Sequence, residues 1–317
     1  MSGPSSKAPQ VSGPSSKAPQ VSGPSSKAPL WIICAPGLFV ILWASGFPAV
    51  KYGLDYIEPF TLLAVRSALN VLVVAAILPF VRVRWPQNWR AVGHIAVAGF
   101  LLQFAYLGAM FVALGEGISQ GLAALIAGMQ PLITAMLVGR WLGERITPIQ
   151  WAGFLLGFGG LAAVMSERIT IGTGSALGFS VIALTPFLIT AGSLYQKRYC
   201  ANMDLRAGMI IQHTVAAFAC FATSLALETR EIQWGFELSF TLAWLVLFLS
   251  IAATNLYYIM LRRGEAARVS GLFYLTPPTA VVLGYLTYGE TFGLIAIGGF
   301  VVAATGVALI SRRGGNI

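Results

Sequence analysis

The sequence predicts an all-α integral membrane protein: ten transmembrane helices arranged as two inverted five-helix repeats around a central cavity. Three observations predict it. Of the 317 residues, 57% are hydrophobic and only 10% charged, with a mean hydropathy of +0.77. A soluble domain carries roughly 25% charged residues, and one soluble core could not bury this much apolar surface. Second, residues 125–166 and 271–312 are the same segment written twice, 146 residues apart and without a gap. Pro131 matches Pro277, Gly143-Glu144 matches Gly289-Glu290, Gly153 matches Gly299, and Gly160 matches Gly306. The same offset pairs Gly46 with Gly192 and Lys51 with Lys197. Third, charge alternates from loop to loop.

The elements follow in order. Residues 1–30 are three near-identical decapeptides of the form SGPSSKAPQ, predicted as a disordered low-complexity tail outside the fold. No apolar stretch precedes Leu30, so the tail does not read as a secretory signal. A bilayer core of about 30 Å needs about 20 apolar residues per helix. The expected spans are 31–51, 60–81, 92–113, 118–138 and 149–166 in a first repeat (31–166). In a second repeat (175–312) they are 175–195, 207–228, 239–261, 268–288 and 293–311. Thr147-Pro148-Ile149-Gln150 marks one start with an N-cap, a first-turn proline and a capping-box glutamine.

Charge sets the orientation. With a cytoplasmic N-terminus, only Lys51, Arg168 and Arg230 among the loop cations fall outside. Of the acids, only Glu144, Asp204 and Glu265 fall inside. Such a bias predicts that both termini are cytoplasmic. Five helices per repeat then place Glu144 inside and its counterpart Glu290 outside, which inverts the second copy. The pI near 9.7 reflects these loops, and no nucleic-acid partner is expected. Cys34, Cys200 and Cys220 show neither a metal spacing nor a disulfide framework.

WASGFPAVKYGL at 43–54, Arg66 in the second span, and Pro131…Gly143-Glu144-Arg145…Gly153…Gly160 with its echo from Pro277 to Gly306 carry a resemblance. They resemble EamA-type members of the drug/metabolite transporter superfamily, over about residues 31–312. The resemblance implies a basket-like ten-helix bundle in the bacterial inner membrane that exports amino acids and other small metabolites. Within the family the chain looks most similar to exporters of aromatic and other amino acids. It departs in the second copy, where TAGSLYQK replaces the Trp-x-Ser-Gly-Phe-Pro motif.

The residues themselves nominate a cavity. Mid-helix prolines Pro48, Pro131, Pro186 and Pro277 kink helices, and broken helices at membrane depth are tolerated where they line a cavity. Proline is also simply commoner in membrane helices. Gln103, Tyr106 and Met110 share one face of the third span, as Asn255 and Tyr258 do in the eighth. With Trp43, Ser45, Gln130, Tyr274 and Thr276 they form a neutral, aromatic set of candidate substrate contacts, or else interhelical glue. Arg66 is the one charge well inside a span, either snorkelling to the surface or meeting a substrate carboxylate. His213 is the candidate coupling residue, or a packing histidine. Glu144 and Glu290 are either turn and helix-start residues or closures of the cavity ends.

The expected function is export of amino-acid-like small molecules by alternating access, facilitated rather than driven. Alternatives are a proton-coupled exporter of drugs or other metabolites and a nucleotide-sugar or phosphometabolite carrier. The absence of mid-helix carboxylates argues against the first, and the single internal cation against the second. No enzyme is expected, for lack of a paired nucleophile and base. No cofactor or metal is implied, and no nucleotide-binding GxxxxGK[ST] occurs. The partners are the substrate and the bilayer; a monomer suffices, with the oligomeric state left open. Single cysteines in a cysteine-free background test the topology. An impermeant maleimide should label the 228–238 loop from outside and the 82–91 loop only after permeabilisation; the reverse pattern contradicts the assigned sides.

Overall fold

The computed structural model describes residues 30–166, 174–264, 266–279 and 293–311. Nine helices in these residues are long and apolar enough to cross a membrane. They are α1 (Cys34–Gly53), α2 (Pro59–Phe80), α3 (Trp89–Gly115), α4 (Leu122–Leu142), α5 (Pro148–Ser166), α6 (Ala176–Tyr199), α7 (Leu205–Leu227) and α8 (Phe236–Arg263), with α10 (Leu294–Ser311) following α9. α9 comprises residues 266–279, and the remainder of the expected ninth span, with Glu290, lies outside the described residues. The 1–29 tail lies outside them too. Every described span falls within four residues of its expected bounds. The expected capping box forms: Thr147 N donates to Gln150 Oε1 at 2.9 Å and Gln150 N to Thr147 Oγ1 at 3.3 Å.

Small residues bring α5 and α10 into backbone contact. A Cβ at Gly153 would lie 2.7 Å from the Gly306 carbonyl oxygen, and one at Gly306 would lie 2.6 Å from that of Gly153. A Cβ at Gly160 would lie 2.6 Å from the Gly299 oxygen, and one at Gly299 would lie 2.7 Å from that of Gly160. The lower number of one helix meets the higher number of the other, so the two helices are antiparallel. α5 and α10 are copies of each other, so the repeat is inverted. Such close approach suits bilayer helices, which associate by van der Waals contact rather than hydrophobic expulsion.

α2 and α7, another repeat-related pair, also run antiparallel and are clasped at both ends. The Glu228 carboxylate at the end of α7 accepts from Phe60 N at 2.6 Å, Thr61 N at 2.7 Å and Thr61 Oγ1 at 2.7 Å. These are orphan donors of the first turn of α2, where the helix dipole also favours negative charge. Glu58 reciprocates, accepting from Arg230 N at 2.8 Å and Thr229 Oγ1 at 2.9 Å. At the far end, Asp204 accepts from Arg206 N at the start of α7 and from Arg84 N beyond α2.

Departures from α-geometry are systematic. α1 breaks at Ser45 and α4 at Gly128–Met129, each two to three residues before Pro48 or Pro131. Both prolines orphan a carbonyl four residues back, at Ala44 and Ala127. Pro186 leaves α6 unbroken, because Thr185 Oγ1 donates at 2.7 Å to Ile182 O, the carbonyl that Pro186 cannot reach. α3 and α8, again copies, both carry a π-helical stretch, at Phe100–Tyr106 and Leu245–Ala253. In α9 a 3-10 turn, Leu272–Leu275, precedes Pro277.

The seam is testable. Gly160→Ala should destabilise the protein by about 1–3 kcal/mol through forced separation of α5 and α10. Gly159→Ala, where an added methyl meets nothing within 4 Å, should leave thermal unfolding in detergent unchanged.

Candidate functional site

The helix irregularities converge on a cavity between the two repeats. Its wall comprises Trp43, Gly46, Phe47 and Val50 of α1, Arg66 of α2, residues of α3 from Leu102 to Leu114, Ile189 of α6, and Leu245, Leu249, Thr254, Tyr257 and Tyr258 of α8. A continuation shares Trp43, Phe47, Tyr106 and Ile189 and adds Ala124, Ala127 and Gly128 of α4 with Phe273, Thr276 and Pro277 of α9. Both helix breaks before proline and both π stretches border this space. A π turn opens the helical ladder where the backbone faces a cavity instead of a packed neighbour. In α8 hydroxyls add donors to the widened ladder: Ser250 Oγ donates to Leu245 O at 2.9 Å, and Thr254 Oγ1 joins its own N–H on Leu249 O at 3.0 Å.

One wall is aromatic. Trp43 meets Phe273 edge-on at 5.2 Å and Phe39 at 5.3 Å, and Tyr257 stacks on Phe39 at 5.7 Å and meets Phe273 at 5.6 Å. Each such pair contributes about 0.5–1.5 kcal/mol beyond area burial. The tyrosines are held by polar partners: Tyr257 Oη and Ser193 Oγ lie 2.7 Å apart. Tyr258 Oη donates to Gln212 Oε1 at 2.9 Å, whose amide donates to Gln196 Oε1 at 2.9 Å.

The structure sorts the sequence candidates. Trp43, Gln103, Tyr106, Tyr258, Thr276, Pro277 and Arg66 line the cavity. Arg66 is 4% exposed, so it does not snorkel. Six others do not appear in the cavity wall. Ser45 donates to Leu42 O at 2.7 Å and accepts from Trp244 Nε1 at 2.9 Å, tying α1 to α8. Asn255 donates to Ile251 O at 2.6 Å and contacts Met209 of α7. Gln130 lies between α4 and α6, its carbonyl 3.4 Å from Thr190 Oγ1. Tyr274 is fully buried against Gly157 of α5. Pro48 is exposed and Pro186 is buried within α6 without breaking it; neither lines the cavity. The physical reason for Asn255 and Tyr274 is register: a π stretch upstream of Asn255 and a 3-10 turn at Tyr274 rotate side chains off the uniform 3.6-residue stripe. His213 is 1% exposed on α7, outside the wall, with both ring nitrogens unpartnered among the described residues.

Sequence reasoning missed Phe47, Tyr257 and Phe273. Tyr257 was adjacent to a named candidate, but it lies about 100° around the helix from Tyr258, outside the single stripe the spacing selects. Phe47 lies within the Trp-x-Ser-Gly-Phe-Pro motif, which could have nominated it; for Phe273 no signal separated it from an ordinary lipid-facing aromatic.

A charge pair joins several helix ends. Lys197 Nζ lies 2.7 Å from Glu144 Oε1 and donates to Gly264 O at 2.6 Å. The same carboxylate accepts from Ala266 N at 3.1 Å and Ala267 N at 3.5 Å, the first amides of α9. Glu144 thus ties the ends of α4, α6 and α8 to the start of α9 rather than capping its own turn. At the opposite end Lys51, the repeat counterpart of Lys197, donates to Leu114 O at 3.3 Å, close to the end of α3. Its expected counterpart acid, Glu290, lies outside the described residues.

The relay behind Tyr258 is a test of this wall. Gln212→Leu strands the Tyr258 hydroxyl and Gln196 amide in an apolar interior and should cost about 1–3 kcal/mol in detergent unfolding. Tyr258→Phe combined with Gln212→Leu should recover part of that loss.

Residues 29–166 and 176–312 each match the EamA-like transporter family. An Escherichia coli protein, the uncharacterized inner membrane transporter YedA, is 26% identical over 273 residues, spanning 85% of this chain and 88% of its own. A probable amino-acid metabolite efflux pump of Escherichia coli is 26% identical over 279 residues, spanning 85% and 91%. A solved crystal structure shares the fold, with a TM-score of 0.73 at 19% identity over 88% of this chain and 96% of its own. Two matched halves, antiparallel copies of each helix seam and a cavity between them agree: the chain belongs to the EamA-like transporter family.

Proposed function

We propose that the chain is a secondary transporter that exports amino acids or related small metabolites across a bacterial inner membrane by alternating access. The observation that carries this reading is the cavity itself. Both repeats build it, and it is walled by Trp43, Tyr106, Tyr257, Tyr258 and Phe273. Similarity to the probable amino-acid metabolite efflux pump of Escherichia coli supports the substrate class. Neutral polar groups such as Gln103 and Thr276 face this space beside the aromatic wall, a combination that suits a small molecule with one polar end and one apolar or π-rich end.

In this reading the Glu144–Lys197 end faces the cytoplasm, following the loop charges, and this contact network acts as the gate on that side. Reopening it breaks one ion pair and the amide contacts of α9, while the inverted copy supplies the matching closure opposite. No carboxylate lines the described cavity, and arginine does not release its proton at workable pH. Export is therefore facilitated, with substrate leaving down its own gradient.

Proteoliposomes loaded with radiolabelled amino acids test both statements. Protein-dependent efflux is expected for an aromatic or large aliphatic amino acid, and Trp43→Ala should shift the ranking away from aromatic substrates by about tenfold. Absence of efflux for every amino acid overturns the substrate class. With equal substrate on both sides and an imposed pH gradient, no uphill accumulation is expected. Accumulation that collapses with an ionophore would refute the facilitated mode, and its selective loss in His213→Gln would make that histidine the coupling site.

A further inference from the structure

Arg66 is an isolated cation in the membrane interior. Its Nε and Nη1 have no hydrogen-bond partner among the described residues, and it is 4% exposed while lining the cavity. Its surroundings are polar and equally unsatisfied. Ser67 Oγ, both amide atoms of Asn70 one turn further along α2, and both ring nitrogens of His213 on α7 are buried without partners. Glu228, the acid at the nearby end of α7, is already committed to the Phe60 and Thr61 amides.

A buried guanidinium cannot neutralise itself by losing its proton, and in an apolar interior it is retained where a partner or a function compensates it. No partner is supplied by the described protein residues. The arrangement has a net positive charge, presents Arg66 to the cavity with Ser67, Asn70 and His213 behind it, and leaves donors on Arg66 and Asn70 without acceptors. What it lacks is a monovalent anion. Of the available chemistries, a carboxylate matches the planar fork in size, charge and bidentate geometry. A phosphate dianion would leave excess negative charge against one cation. The aromatic wall of Trp43, Tyr257 and Phe273 borders the same continuous space.

We propose that Arg66, supported by Ser67, Asn70 and His213, is the carboxylate-binding end of the cavity and selects monocarboxylates over their neutral or cationic analogues. This deepens the exporter reading and rests on it. Gln103, whose Oε1 is also buried and unpartnered, offers a neutral acceptor for an amine, so a zwitterion is accommodated without a second charged residue. A cationic amine with no carboxylate meets only repulsion from Arg66.

The test uses a panel of amino acids and their matching carboxamides, beginning with phenylalanine and phenylalaninamide. With the full-length native protein in detergent, at least one acid should raise the melting temperature while its amide does not. Arg66→Gln should abolish that shift, and Arg66→Lys should keep part of it. In proteoliposomes, Arg66→Gln should lower efflux of the acid by at least about 30-fold, the size expected when a buried charge pair loses one member. Efflux of the amide should be no lower than in the native protein. If no acid outperforms its amide in the native protein, or if Arg66→Gln leaves the acid-to-amide ratio unchanged, the assignment is overturned. The native comparison needs no variant, so it stands even if Arg66→Gln misfolds. Chloride added to gluconate buffer separates the other source of the same charge. A chloride-dependent stabilisation lost in Arg66→Gln, with which the acids do not compete, assigns the cluster to a halide and overturns the substrate role. Acid binding through Arg66 without any efflux would sink the exporter reading and leave the carboxylate site standing.

Discussion

The constraint on which this structure depends is that backbone amides and carbonyls in an apolar surround must find partners inside the protein. Regular helix satisfies it everywhere except at proline and where the ladder opens. The three responses seen here differ by location. At Pro186 a neighbouring threonine hydroxyl takes up the stranded carbonyl, and α6 runs through. At Pro48 and Pro131 no such hydroxyl is present at the same position, and α1 and α4 break. In α3 and α8 the ladder widens to a π stretch without proline. Apart from the satisfied turn at Pro186, these departures border one cavity, so the departures from regular helix and the candidate site are two aspects of one arrangement.

Symmetry supplies the scaffold and its breaking supplies the asymmetry that transport requires. The α5–α10 glycine seam and the α2–α7 clasps are built from repeat-related elements. Gly46 of α1 faces Leu249 of α8 as Gly192 of α6 faces Leu102 of α3. Against this, the aromatic wall and Arg66 have no copy: position 43 is Trp but its counterpart is Ile189, and the counterpart of Arg66 is Gln212. Gln212 is spent holding Tyr258. The equivalent location thus carries a neutral hydrogen-bond relay in one repeat and an uncompensated cation in the other, which gives the cavity a direction along the α2–α7 pair.

Much of this was legible in the chain. Hydropathy located the described spans to within four residues, because a bilayer demands apolar length and little else. The Gly153/Gly299 and Gly160/Gly306 matches announced two copies, and an odd helix count per copy implied inversion. Thr147 to Gln150 was readable as a capping box because its partners are three residues apart. Arg66 stood out because charge is so scarce in these helices.

Sequence by itself determined the membrane class, the two repeats, the helix starts and the short roster of polar residues placed at membrane depth. Only the tertiary structure decided which of them share a cavity. Stripe arithmetic assumes 3.6 residues per turn throughout, and the π and 3-10 stretches that border the cavity violate it, bringing Tyr257 and Phe273 in and turning Asn255 and Tyr274 out. Only the fold could show that Glu144 spans to Lys197 and the start of α9, or that Arg66 has no protein counter-ion among the described residues. Those facts depend on pairs 53 and 122 residues apart and on the absence of a neighbour, and local sequence carries information about neither.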